Sequence, residues 1–106
     1  MENNFSKKLA ELAKRDTILS SPTRLSIMIL LYLNTKMKFT SLQKALNLTP
    51  GNLSSHLRKL EKNGLIKIVK GFVQLKPTTV IYISEKGVQE LKNFLSDMKE
   101  ILREVV

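Results

Sequence analysis

In the stretch "NLTPGNLSSHLRKLEKNGLIKI", residues 47–68, amides, hydroxyls and cations recur between leucines at helical spacing. Leu53, Leu57 and Leu60 stand four and three apart, so a helix would gather them on one side. That leaves Asn52, Ser54, Ser55 and Arg58 facing outward near its start, with Lys59 and Lys62 further along. A guanidinium can donate two hydrogen bonds to a guanine edge, a carboxamide can pair with adenine in the same manner, and a hydroxyl serves either. Thr49 has the chemistry of a helix cap and Pro50 suits the first helical position. The opening turn then offers backbone N–H groups to an anion, and Gly51, lacking a side chain, lets a phosphate come close. The chemistry on offer is therefore hydrogen-bond recognition.

Catalytic chemistry finds little support. His56 is the only histidine, and its neighbour Ser55 points about 100° away around a helix, so no Ser–His pair forms locally. The chain has no cysteine and no cluster of histidines and carboxylates, so neither a thiolate metal site nor a bound cofactor is expected. No glycine-rich phosphate loop appears, and the acids Glu85, Glu90, Asp97, Glu100 and Glu104 fit the solvated faces of a terminal helix. The expectation is a protein that is not an enzyme.

Charge narrows the class of partner. Lys and Arg number 18 against 9 acids, a net charge of +9. Between Lys36 and Lys76 nine cations (Lys36, Lys38, Lys44, Arg58, Lys59, Lys62, Lys67, Lys70 and Lys76) face Glu61 alone, so nearly all of the net charge falls in that segment. A segregated positive field suits a polyanion such as nucleic acid or an acidic membrane surface.

The elements that must position these groups can be read in order. With 106 residues, 42% apolar and 25% charged, the chain suits one domain with a real core. Phe5, Leu9, Leu12 and Ala13 recur at helical spacing within residues 1–20. Ser21 and Pro22 open a helix whose run from Leu25 to Leu33 is apolar nearly all round, which places it at the centre. "MKF" makes a short extended piece, Thr40 is expected to cap a third helix with Leu42, Ala45 and Leu46 inside, and Asn47 suits a left-handed exit. Leu48 should pack between helices. Gly64 stops the fourth helix, after which Leu65–Val69 and "TVIYI" alternate as two strands of a hairpin. Ser84 caps the last helix, residues 85–106, whose apolar residues Val88, Leu91, Leu95, Met98, Leu102 and Val105 follow a heptad pattern with Phe94 and Ile101 beside them. No apolar run is long enough for a membrane span, and the N-terminus lacks an apolar leader, so a cytoplasmic protein with no membrane partner is expected.

This order, together with "SPTRLSIMILLYL", "FTSLQKALNLTPGNLSSHLRKLEKNGLIKI" and "YISEKGVQEL", resembles the winged helix-turn-helix regulators of the ArsR and MarR type over about residues 21–91. The resemblance implies an α+β, mostly α fold: a winged helix core (21–84) with a two- to three-stranded antiparallel wing sheet and a long C-terminal helix. It also implies that the helix from Pro50 enters the major groove of DNA while the hairpin near Lys70–Thr79 lies over the adjacent backbone or minor groove.

The expected function is thus a sequence-specific, double-stranded DNA-binding transcriptional regulator acting as a homodimer. Asn52, Ser54, Ser55 and Arg58 would meet base edges. Lys44, Thr49, Lys59, Lys62, Lys70 and Lys76 would meet phosphates, with Pro50 and Gly51 shaping the opening turn. Dimerisation would use the first and last helices through Leu9, Leu12, Leu91, Phe94, Leu95, Met98, Ile101, Leu102 and Val105. A small-molecule effector is neither required nor identified by the sequence. The alternative is a winged-helix protein-interaction module within a larger assembly, which would not need the cationic segment; RNA binding is a weaker third reading. Related wings often carry Gly and Arg at the tip, whereas this one reads "GFVQLKPTT". An apolar Leu75 there means either a tip that packs against something or a short hairpin folded back on the core.

Overall fold

Ser-Pro and Thr-Pro pairs start the two inner helices for the same physical reason. In the computed structural model, which describes residues 4–14 and 18–106, the Ser21 hydroxyl accepts from the Arg24 backbone N–H at 3.3 Å at the head of α2 (Pro22–Asn34). The Thr49 hydroxyl accepts from the Asn52 N–H at 3.1 Å at the head of α4 (Pro50–Lys62). Proline follows each cap, where its missing N–H would have had no partner. Ser84 caps α5 (Glu85–Val105) by accepting from the Gly87 N–H at 2.9 Å. The remaining elements are α1 (Asn4–Lys14), a 3₁₀ turn (Ile18–Ser20), β1 (Lys36–Lys38), α3 (Phe39–Leu46), β2 (Ile66–Val73) and β3 (Lys76–Ile83).

The helix ends are equally specified. Asn47 adopts φ 53°, ψ 49° after α3, so that its N–H reaches the Lys44 carbonyl at 3.3 Å and the Leu48 N–H reaches that of Gln43 at 3.1 Å. Gly64, at φ 76°, does the same after α4: its N–H donates to Glu61 at 2.9 Å and that of Leu65 to Leu60 at 3.0 Å. Both are paired closures through a left-handed residue, and in both the leucine that follows returns to the apolar interior.

Around α2 the core gathers Ile27, Met28 and Leu31 with Leu42, Leu53, Leu57, Leu60, Leu65, Ile66, Ile81, Leu91 and Phe94. The sheet runs β1-β3-β2, antiparallel throughout, with Met37 opposite Ile81 and Ile68 opposite the same residue from the other side. Gly87 lets α5 approach it: a Cβ there would run into the Leu65 carbonyl oxygen. This winged helix fold, with a three-stranded antiparallel sheet and a long C-terminal helix, is the one expected. No helix among the described residues is long and apolar enough to cross a membrane. The reading of residues 1–3 as part of a leaderless N-terminus lies outside the described residues.

Two local expectations are corrected. Helix α3 begins at Phe39 with Lys38 as its cap residue and no side-chain cap bond, so Thr40 lies inside the helix. Pairing of Lys36–Lys38 with Tyr82–Val80 ends the strand one residue sooner, and Phe39 is drawn into the helix by packing on the core. Ala45 is exposed; the inner face is Phe39, Leu42 and Leu46.

The hairpin does not fold back. Residues 69–77 are exposed, and its two-residue turn holds Gln74 at φ 52° and Leu75 at φ 68°. This is the primed turn that matches strand twist and ordinarily recruits Asn-Gly. Left-handed backbone costs a residue with a Cβ roughly 1–2 kcal/mol. With the wing and the end of α5 both reaching outward, the molecule measures 63 × 25 × 22 Å.

Candidate nucleic-acid interface

Three buried leucines set the orientation of α4. With Leu53, Leu57 and Leu60 inward, a step of about 100° per residue places Gly51, Ser55, Arg58 and Lys62 along the outermost line. Asn52 and Lys59 share one flank with His56, and Ser54 and Glu61 form the other. Asn52, Ser55, Arg58, Lys59 and Lys62 are exposed, as are Thr49, Pro50 and Gly51; Ser54 is half-buried. The four residues expected to meet bases are therefore not one patch. Ser54 and Arg58 line an open groove of about 710 Å³ between α4 and the wing, together with Phe39, Leu57, Glu61, Ile68, Lys70 and Thr79. Ser55 faces straight out and Asn52 lies on the far side.

Electrostatically the surface is unpaired. Among the described residues none of Lys44, Arg58, Lys59, Lys62, Lys70 and Lys76 is held in an ion pair, whereas Lys8 pairs with Glu100 at 2.7 Å, between α1 and α5. Lys38, counted in the sequence only as charge, shares a second depression with Phe39 and the stretch of β3 from Lys76 to Thr79 that leaves the wing tip. Glu61, the one acid of the basic segment, sits in the main groove, where its carboxylate would repel a phosphate and could accept from a cytosine amine. Nothing in the spacing of Phe39, Glu61 and Thr79 marks them as neighbours; the wing brings them together.

His56 is part of the scaffold. Arg24 Nη1 donates to His56 Nδ1 at 3.2 Å, and because arginine only donates, the imidazole is neutral with its proton on Nε2. Arg24 Nε also donates to the Ile18 carbonyl at 2.7 Å, so one guanidinium ties the turn before α2 to α4. Burial first, then the positive charges of Arg24 and Lys59, hold the His56 pKa below 6.5. Arg24 escaped the sequence reading because its partner lies 32 residues away.

The residues expected at a dimer contact divide. Leu91, Phe94 and Ile101 are buried in the chain's own core or against it, and Met98 is half-buried. Within α5 they follow Gly87 at alternating steps of four and three, a stripe already covered. Leu95 and Leu102 lie beside it at 39% and 50% exposure, Val105 continues the same stripe one step past Ile101 but is 66% exposed at the helix end, and on α1 Leu9 is exposed and Leu12 half-buried. Among the described residues no three His, Cys, Asp or Glu side chains come together in a metal-binding group.

The family model of the winged helix DNA-binding domain matches residues 23–102. An uncharacterized protein of Methanocaldococcus jannaschii is 34% identical over 88 residues, 83% of this chain and 96% of that one. The structure of a transcriptional regulator homologue from Pyrococcus horikoshii OT3 is similar with a TM-score of 0.87 at 44% identity, over 93% of this chain and 97% of that chain. A zinc-responsive MarR family member of Lactococcus lactis shares the fold with a TM-score of 0.64 at 17% identity, over 87% of this chain and 62% of its own.

Proposed function

The chain belongs to the winged helix DNA-binding domain family, with a MarR-like fold, and from that premise we propose that it is a homodimeric, sequence-specific regulator of transcription. The observation that carries this reading is the outer line of α4. Ser55, Arg58 and Lys62 stand exposed on a helix anchored by three buried leucines, beside an unpaired cationic surface. A helix of that kind fits the major groove, where its first-turn N–H groups and Gly51 can meet a phosphate.

Arg58 and Asn52 would discriminate bases, with Ser54 and Ser55 as adaptable partners. Thr49, Lys44, Lys59 and Lys62 would hold the flanking phosphates, and Lys70 and Lys76 would do so from the wing. For the dimer, the support is the exposed apolar side chains of Leu95, Leu102 and Val105 on α5 and Leu9 on α1, which the protomer leaves uncovered. Two-fold symmetry then sets two α4 helices roughly 34 Å apart on an inverted repeat.

Selection of bound fragments from random duplex DNA tests this reading. The expected result is an inverted repeat whose half-sites lie about one helical turn apart, bound by a species that sediments as a dimer. Recovery of no preferred sequence, or sedimentation as a monomer at micromolar concentration, would contradict it.

A further inference from the structure

We propose that the wing acts as an apolar wedge, with Leu75, backed by Phe72, entering the minor groove and unstacking a base step there. The proposal rests on the DNA reading above and says how the wing takes part in it. Leu75 is 93% exposed and Phe72 75%, more than any other large apolar side chain among the described residues except Val106. Leu75 stands at the very end of the hairpin, where both turn residues are left-handed and neither is glycine. The turn type ordinarily favours Asn-Gly, so a leucine here spends backbone strain on a side chain that the turn itself does not need.

Register shows where the apolar residues lie. Phe72 pairs with Pro77 and Lys70 with Thr79. Because side chains alternate along a strand, Phe72 and Lys70 share the face of Ile68, which lines the groove beside Arg58. The apolar tip is therefore continuous with the surface that faces the proposed duplex.

Charge selects the occupant. From Lys67 to Lys76 the hairpin carries Lys67, Lys70 and Lys76, and no acid occurs between Lys62 and Ser84. Lys76 follows Leu75 directly and closes the hairpin opposite Val73, and Lys38 shares a depression with it. An apolar knob collared by lysines fits a duplex, which offers phosphates on the rim of its minor groove and stacked bases on the floor. Lys70 pairs with Thr79, four residues from Leu75 along the returning strand, so it stands roughly 13 Å behind the tip at about 3.3 Å per residue. That exceeds the groove depth of about 7.5 Å, so the tip can reach the floor while Lys70 stays at backbone level. Apolar side chains inserted in this way partly unstack a base step and kink the duplex.

The test uses the duplex recovered by selection, with 2-aminopurine at the steps flanking each half-site and a donor–acceptor pair on its ends. Wild-type protein, Leu75→Ala and Leu75→Gly are compared; glycine relieves the left-handed backbone while removing the wedge, so a fault in the turn cannot explain a shared loss. Wild type should raise 2-aminopurine emission and shorten the end-to-end distance. Both variants should abolish both signals, while selecting the same bases under α4. Tight binding to a straight, stacked duplex, or bending by the variants equal to wild type, would overturn the wedge alone, as would a tip reserved for another protein. Failure of wild type to bind any duplex would overturn the wedge and the DNA reading together.

Discussion

Helix α4 and the wing tip are both presented to the same proposed partner, and they are built in opposite ways. In α4 the polar residues ride on Leu53, Leu57 and Leu60, all buried, and both helix ends are closed by caps. In the wing the apolar residues are the exposed ones, and the turn that holds them is backbone-strained. The first arrangement fixes side-chain positions to the precision that base recognition demands, because the supporting rotamers are locked by packing. The second projects a small hydrophobic end away from the body, where no core contact restrains it. In the proposed complex, rigidity would serve readout and projection would serve reach.

The contrast is broken most severely from inside. Leu57→Ala should lower stability by about 2–5 kcal/mol, as expected for a fully buried leucine, whereas Leu75→Ala should stay within roughly 0.5 kcal/mol. Urea titrations of both variants check this; similar midpoints would mean that the two regions are not anchored differently. The next effect is on binding. Arg58→Ala should cost roughly 1–3 kcal/mol of base discrimination, while Lys62→Ala should weaken all duplexes alike and reduce the salt slope by about one. Anisotropy titrations on matched and mutated sites, at several salt concentrations, separate the two behaviours.

A smaller change sharpens the wing's side of the comparison. Leu75→Gly should stabilise the fold, by up to about 1 kcal/mol, because glycine tolerates the left-handed turn. An unchanged or lower urea midpoint would show the turn to be unstrained.

The smallest effect concerns His56. Its folded pKa lies below 6.5, through burial first and then Arg24 and Lys59, so between that value and 6.5 the unfolded chain binds the proton more readily. Its contribution to stability is therefore complete above pH 6.5 and is lost as pH falls through the folded value. Below that value the contribution levels off. His56→Gln should flatten this part of the stability–pH curve; a curve identical to wild type would remove His56 from the account.

Much of this was legible because each signal was local. Ser21-Pro22, Thr49-Pro50 and Ser84 announced helix starts within four residues of their hydrogen-bond partners, and Asn47 and Gly64 announced the ends. The leucine spacing of α4 alone sufficed to orient its outer face. Contacts made across the chain were not legible. Arg24 meets His56 through a turn geometry that no spacing encodes, and Gly87 matters because the Leu65 carbonyl passes close by. The heptad reading of α5 merged two adjacent stripes, since helical period cannot tell which stripe the rest of the fold will cover. Thr40 misled for a related reason: its cap chemistry was good, but strand pairing and the burial of Phe39 decided where α3 began.

The central claim is that the outer face of α4 reads base edges in the major groove. Dimethyl sulfate protection of the selected duplex tests it most directly, because the reagent methylates guanine N7 in the major groove and adenine N3 in the minor groove. The account predicts guanine protection in two clusters about one helical turn apart, lost from matched positions in Arg58→Ala. Full methylation of every guanine in a duplex that the protein demonstrably occupies would contradict it.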